Sequence, residues 1–332
     1  MAHQLRFAAA REPISEEYPA VALPHPRCIS VAFPPPRFTP SPSPLTNYSF
    51  LAALTPQELE MRLQIAMDVQ MISKLDQRKL QTMASLLTSD PDYFLMIARN
   101  MNGSKRIQKL LGKTDDVDAL FAAAILRRFL HIITDKYASY VVRRGMTVFD
   151  KKKKKAMYEH ILHYASHIAR DKHGNLALND IITDAYRNKL FDVIAHKALV
   201  LSNDAYGNFV IQRVLKLNDL RSKNNIVVSL RGHFVDLSFQ KYGSYVVDVL
   251  LETKESMVVV VEELMECEGD MLMRLARNEY GNFLVCKALR VTQKEMVRTD
   301  LFWGLVHKLK PFHNLLRWSR GKNIASILNS IR

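Results

Sequence analysis

In the stretch AYGNFVIQRVL, residues 205–215, Asn208 and Gln212 stand four apart, with Phe209 beside the first. On a helix, positions i and i+4 lie one turn apart on the same face, and i+1 is rotated by about 100°. Two carboxamides so placed can each donate and accept, enough to hold the hydrogen-bonding edge of one flat heterocycle, while the ring of Phe209 offers a stacking surface. A base of a single-stranded nucleic acid fits that chemistry.

The pattern recurs. NMNGSKRIQKLL, DKYASYVVRRGM, DKHGNLALNDII, DAYGNFVIQRVL, QKYGSYVVDVLL, NEYGNFLVCKAL and, more weakly, WSRGKNIASILN align without gaps. The residues that follow the Gly or Ala are 104, 139, 175, 208, 244, 282 and 322, at spacings of 35, 36, 33, 36, 38 and 40. Such a period belongs to a helical solenoid, in which no unit buries its apolar face alone. Three residues before the small residue, Asn100, Asp135, Asp171, Asp204 and Asn278 offer an oxygen to the free amides of a helix start, a column that Gln240 and Trp318 break. Six of the 11 glycines share the next column, as expected where backbones approach too closely for a side chain, and Ala138 is the smallest substitute. Apolar pairs such as Val210/Ile211 then face a core, and FLHIIT, ILHYASHIA and MLMRLA supply a preceding helix for their units.

These segments resemble the Pumilio, or PUF, family over roughly residues 80–332. The resemblance implies an all-α fold, a right-handed α-solenoid of Pumilio-type repeats curved into a superhelix, with one RNA base read per repeat. In the family the first and fifth residues after the turn contact the base edge and the second stacks. Asn208/Phe209/Gln212 matches the uracil-reading set, with Phe where Tyr is usual, and Ser104/Gln108 matches the adenine pair, with Lys105 at the stacking place. Ser244/Tyr245/Asp248 is similar to the guanine set with an acid one methylene shorter. Ser139/Tyr140/Arg143, Asn175/Leu176/Asn179, Asn282/Phe283/Cys286 and Lys322/Asn323/Ser326 match no common family triplet, yet the first three sets, Leu176 apart, are expected to line the RNA path. The plain alternatives are solvent-facing polar residues for the triplets and core packing for the aromatic ones.

Other chemistry is poorly represented. Dinucleotide, P-loop, zincin and nucleophile-elbow motifs are absent, and no catalysis or cofactor is expected. His160, His163 and His167 fall near one helix face, but without an acidic or cysteine ligand they make a weak metal site, and none is expected. Cys28, Cys267 and Cys286 form no CxxC pair and fit a reducing compartment. The run KKKKK at 151–155 reads first as a solvated turn between repeats, with phosphate contact and nuclear import as alternatives.

Ten of the 13 prolines fall within residues 1–44, so 1–50 is expected to be a disordered tail. The domain of about seven repeats follows over 51–332 and opens on an amphipathic helix capped by Thr55 with Pro56 at its first position. A formal charge of +14 favours a polyanionic partner, and 48% hydrophobic residues allow a large core without any span apolar enough for a bilayer. The expectation is a cytoplasmic monomer, with the nucleus as a second address through Lys151–Lys155. It would bind single-stranded sites in mRNA 3′ untranslated regions, regulate translation and message stability, and engage effector proteins. A non-sequence-specific RNA binder and a protein-interaction solenoid with decayed reading positions are the competing expectations.

Overall fold

Polar caps set the helix starts. Asp90, Thr114, Asp150 and Asp219 accept the N–H of Tyr93, Val117, Lys153 and Ser222, satisfying donors that a helix cannot pair internally. The computed structural model describes residues 76–181, 187–217 and 219–331, all within a compact unit spanning Ala53–Arg332. The tail expected over 1–50 and the helix expected from Thr55 lie outside the described residues. The described residues are helical throughout, without a strand.

The sequence suggests helical pairs, but six of the seven units are triplets. The first comprises an outer helix Gln77–Thr88, a middle helix Pro91–Arg99 and an inner helix Met101–Leu110. The second comprises Asp115–Arg127, Phe129–Ile133 and Ser139–Val148. The fourth has Arg187–His196, Ala198–Ser202 and Gly207–Leu215, and the fifth Leu220–Leu230, Phe234–Phe239 and Lys241–Leu250. The sixth has Lys254–Glu266, Gly269–Arg277 and Gly281–Gln293, and the seventh Thr299–Leu309, His313–Arg317 and Lys322–Ser330. Only the third runs outer and middle segments together, as Lys151–Arg170, before its inner helix Lys172–Ile181. The extra break falls where the backbone leaves helical geometry, with ψ of 32° at Arg128, 13° at Lys197 and 2° at His233.

Outer helices pack on outer helices of the next unit and inner on inner, so the stack is an α-solenoid with its core between the two layers. Val141/Val142, Val210/Ile211, Val246/Val247 and Leu284/Val285 enter that core from the inner layer, and Phe121, Phe191 and Phe234 from the outer and middle helices. The glycine column marks the tightest contact. A Cβ on Gly207 would stand 2.8 Å from the carbonyl oxygen of Leu201, and one on Gly243 2.6 Å from that of Leu237, so the middle helix meets the start of the inner one backbone to backbone.

All five expected caps form. Asn100, Asp135, Asp171, Asp204 and Asn278 each accept from the backbone N–H groups two and three residues on. Two caps also reach the previous unit, through Arg99–Asp135 at 3.6 Å and Arg170–Asp204 at 2.8 Å. Burial pushes the Asp204 carboxyl up, but the Arg170 guanidinium and the N–H groups of Gly207 and Tyr206 outweigh it and hold it below its ordinary value.

The lysine run is not a turn. Lys151–Lys155 is the opening of the long helix of the third unit, capped by Asp150. Lys153 bonds Asp115 and Asp150, Lys154 donates to the carbonyl of Thr147, and Lys151, Lys152 and Lys155 face solvent. The bonds from Lys153 hold the Asp150 carboxyl at about 2.

Gly207→Val should lower the unfolding free energy in urea by about 1–3 kcal/mol, and Gly207→Ala by less, since Ala138 occupies the same column fully buried. An unchanged midpoint for the valine variant would show that the helices separate freely. Because the folded Asp204 is the stronger acid, its contribution is complete above the unfolded value of about 4 and disappears as the pH falls through the lower folded value. Asp204→Asn should therefore be less stable at neutral pH, with a shallower acid limb; identical limbs would discount the pair with Arg170.

Candidate nucleic-acid interface

The inner helices present the same face in every unit because the cap and the small residue fix how each one starts. The third and fourth residues of the inner-helix motifs turn into the core, apart from the half-buried Arg106 at the third place of the first unit, and the second is thrown outward by about 100° per residue. Tyr140, Phe209, Tyr245 and Phe283 are 47%, 55%, 45% and 67% exposed, each next to a buried Val or Leu. These rings are not core. Leu176, Lys105 and Asn323 occupy the same outward place in the remaining units.

The first position behaves differently from the expectation of an open pair of amides. Asn208 is fully buried: its Nδ2 donates to the carbonyls of Asp204 and Ala205 at 2.8 and 3.0 Å, and its Oδ1 accepts from Gln212 Nε2 at 2.8 Å. The position lies on the edge between core and solvent, where a carboxamide must satisfy its donors locally, and the nearest acceptors are the carbonyls of the helix start. Gln212, half-buried above it, is therefore the amide within reach of a ligand. Asn208 aims it.

The same relay appears in two further units. Gln108 Nε2 donates to Ser104 Oγ at 3.0 Å, and that hydroxyl donates across to Tyr137 O of the next unit at 2.7 Å. Asn179 Nδ2 donates to Asn175 Oδ1 at 3.1 Å, while Asn175 Nδ2 bonds Tyr206 O of the following unit at 2.7 Å and Ala169 O of its own at 3.1 Å. Asn175/Asn179, which match no common triplet, thus share the geometry of the recognisable pairs; the signal was the i, i+4 spacing of two amides. Asn179 keeps a buried Oδ1 without a hydrogen-bond partner.

Two fifth positions are occupied by neighbours. Arg143 lies over the Tyr140 ring, 4.6 Å from its centroid, and pairs with Asp180 of the next unit. Asp248 pairs with Lys287 of the next unit at 2.8 Å, and the same ammonium bonds the Asp248 carbonyl and Glu252. Both contacts run from the fifth residue of one motif to the sixth of the next, with the charges reversed, a relation no single segment shows. Ser139 and Ser244 are buried beneath them, and Ser244 Oγ donates to Lys241 O. Asn282 is buried and bonds the carbonyls of Asn278 and Glu279, and Cys286 is buried with it, leaving Phe283 as the accessible member of that set.

Of the three histidines, His160 lies against Phe129 at 5.4 Å and His163 against its neighbour Tyr164 at 4.5 Å, while His163 and His167 are exposed. No group of three His, Cys, Asp or Glu able to hold a metal occurs among the described residues, and no helix there is long and apolar enough to cross a membrane.

Stacked units that expose a flat side chain and a half-buried polar one at the same two helical positions define an α-solenoid of the base-reading kind. Comparison with known proteins supports that class. The Pumilio-family RNA binding repeat matches residues 128–162, 197–228 and 233–253. Pumilio homolog 18 of Arabidopsis thaliana is 57% identical over 330 residues, 98% of this chain and 99% of that protein. Putative pumilio homolog 19 of the same plant is 58% identical over 315 residues, 94% of each. The chain belongs to the Pumilio family, whose members are RNA-binding proteins and not enzymes. Among solved structures, the Puf4 RNA binding domain bound to the HO endonuclease RNA 3′ UTR recognition sequence shares the fold at a TM-score of 0.66 and 20% identity, covering 78% of this chain and 83% of that one. Yeast Puf5p bound to SMX2 RNA does so at 0.64 and 17%, covering 82% and 88%. The fold is thus the right-handed Pumilio solenoid.

Exposure at the second position makes a direct prediction. Phe209→Ala should leave the melting temperature within about 1 °C, because surface substitutions rarely exceed about 0.5 kcal/mol, while Ile211→Ala, in the core beside it, should lose about 2–5 kcal/mol. Equal losses would place Phe209 in the core.

Proposed function

We propose that the protein binds single-stranded RNA sequence-specifically along the inner helices and, through sites in mRNA 3′ untranslated regions, regulates translation and message stability. The observation that carries this reading is the Gln212–Asn208 relay beside an exposed Phe209, repeated in kind at Ser104/Gln108 and Asn175/Asn179. A base enters between successive second-position side chains, and the fifth-position amide, already turned by the residue beneath it, meets the base edge. On the family's pairing rule, Asn208/Phe209/Gln212 receives uracil and Ser104/Lys105/Gln108 adenine. The +14 charge adds attraction for the phosphates. That the Puf4 RNA binding domain of the same fold is bound to an RNA 3′ UTR recognition sequence supports the class of target.

The ion pairs at Arg143 and Asp248 favour a division of labour in which those two units stack a base on Tyr140 or Tyr245 and discriminate less at its edge. Exposed Lys151, Lys152 and Lys155 lie on a long first helix rather than an inner one, which favours an address or partner role for them over base contact. Messages in the cytoplasm are the proposed targets.

Selection from a randomised RNA pool tests this. A uracil-containing motif should emerge, Phe209→Ala should weaken binding to it by about 1–3 kcal/mol, and Asn208→Ser should move one position from uracil toward adenine with the others unchanged. Binding without any enriched motif would favour a charge-led, non-specific binder, and no binding would favour a protein-interaction solenoid.

A further inference from the structure

An arginine–carboxylate pair ties one unit to the cap of the next at two junctions, and at a third the arginine is present without its acid, which opens a site. Arg99 and Arg170 each end the helix that precedes the inner helix of a unit and pair with the carboxylate cap of the following unit, Asp135 and Asp204. Arg277 holds the same place in the sixth unit, but the cap position of the seventh is Trp318. With the acid replaced, no carboxylate pairs with Arg277 or with Arg274 one turn earlier among the described residues, and Arg277 touches only the sulfur of Met273, at 4.0 Å. The junction opens into a cleft of about 590 Å³ lined by Phe239, Arg274, Arg277, Asn278, Trp318 and Arg320. At the third-to-fourth junction, where Arg170 keeps its acid, the corresponding cleft is about 280 Å³.

The chemistry of this cleft is specific. Trp318 is 85% exposed, with Arg317 5.5 Å from the centre of its ring, so the indole is held at the surface with most of its area open. Arg320 is engaged by Glu279 at 3.6 Å, which leaves Arg274 and Arg277 as the uncompensated charges. Guanidinium forks match phosphate oxygens, and an exposed indole matches a base. An acidic peptide would satisfy the arginines and leave the indole unused. We propose that the cleft between the sixth and seventh units takes a nucleotide of the bound strand beyond those facing the inner helices, with its phosphate on Arg274 and Arg277 and its base on Trp318. This extends the RNA-binding reading above and rests on it.

The test uses full-length protein and the shortest RNA from the pool that retains full binding, alone and lengthened by two nucleotides at either end. Lengthening at one end should raise affinity about fivefold or more by anisotropy, and in a Trp303→Phe background it should quench the Trp318 fluorescence that the short RNA leaves unchanged. Trp318→Ala and Arg277→Gln should each lose the gain while binding the short RNA as before. Trp318→Asp rebuilds the interrupted pair with Arg277, so it should lose the gain and raise the melting temperature. No gain at either end, or a gain that survives Trp318→Ala and Trp318→Asp, overturns the site while leaving short-RNA binding intact. Quenching by an Asp/Glu-rich peptide, with no effect of lengthening the RNA, overturns it in favour of a protein partner. If no RNA is bound at all, the reading of the inner helices fails and this one with it.

Discussion

The close approach of each middle helix to the first turn of its inner helix is the contact on which the molecule depends. A Cβ at Gly174 or Gly281 would stand 2.7 Å from the carbonyl oxygen of Ile168 or Leu275, the residue six earlier in each case. Two backbones can meet that closely only without a side chain between them. The cap three residues before the glycine ties down the same turn, as Asp171 and Asn278 do by accepting two N–H groups each. With the turn fixed at both ends, the inner helix has one direction to leave in, and its outward residues are the same in successive units.

That direction determines how the polar face is built. The first residue of each motif falls on the seam between core and solvent, where a polar group left unbonded costs about 1–3 kcal/mol. Asn208, Asn175 and Asn282 avoid this by donating to nearby carbonyls, and Ser104 does so across the junction to Tyr137. Once those donors are used, Asn208 and Asn175 have an oxygen left, and it receives the amide one turn on. The result is a side chain oriented before any ligand arrives, which reduces what must be ordered on binding.

Charge divides the units further. Arg143 and Asp248 carry the fullest charges at the fifth position and are both matched by the next unit, through Asp180 and Lys287, so the positions best suited to strong edge contacts are the ones tied between repeats. The opposite holds at the turn edge, where Arg99 and Arg170 have acids and Arg277 faces an indole. The electrostatic surface is thus set by pairs that bridge units rather than by the sum of lysines and arginines, and a lysine run such as 151–155 contributes mainly through the three side chains left in solvent.

Much of this was legible along the chain because it is local. The 33- to 40-residue period, the capping Asp or Asn, the glycine three residues later and the apolar pairs all follow from interactions within a dozen residues, and they sufficed for the solenoid, for the cap geometry and for the outward rings of Phe209 and Tyr245. The division of units into three helices was not legible, since the breaks at Arg128 and Lys197 are backbone bends with no proline or glycine to mark them, while Gly232, at φ 83° just before His233, stands outside the repeating glycine column. Nor was the burial of Asn208, the relay at Asn175/Asn179, or the pairing of Asp248 with Lys287 thirty-nine residues away. Those depend on where one unit comes to rest against the next. Spacing within a segment specifies which residues share a face, but only packing between segments decides which polar groups on that face are spent on each other and which are left for a ligand.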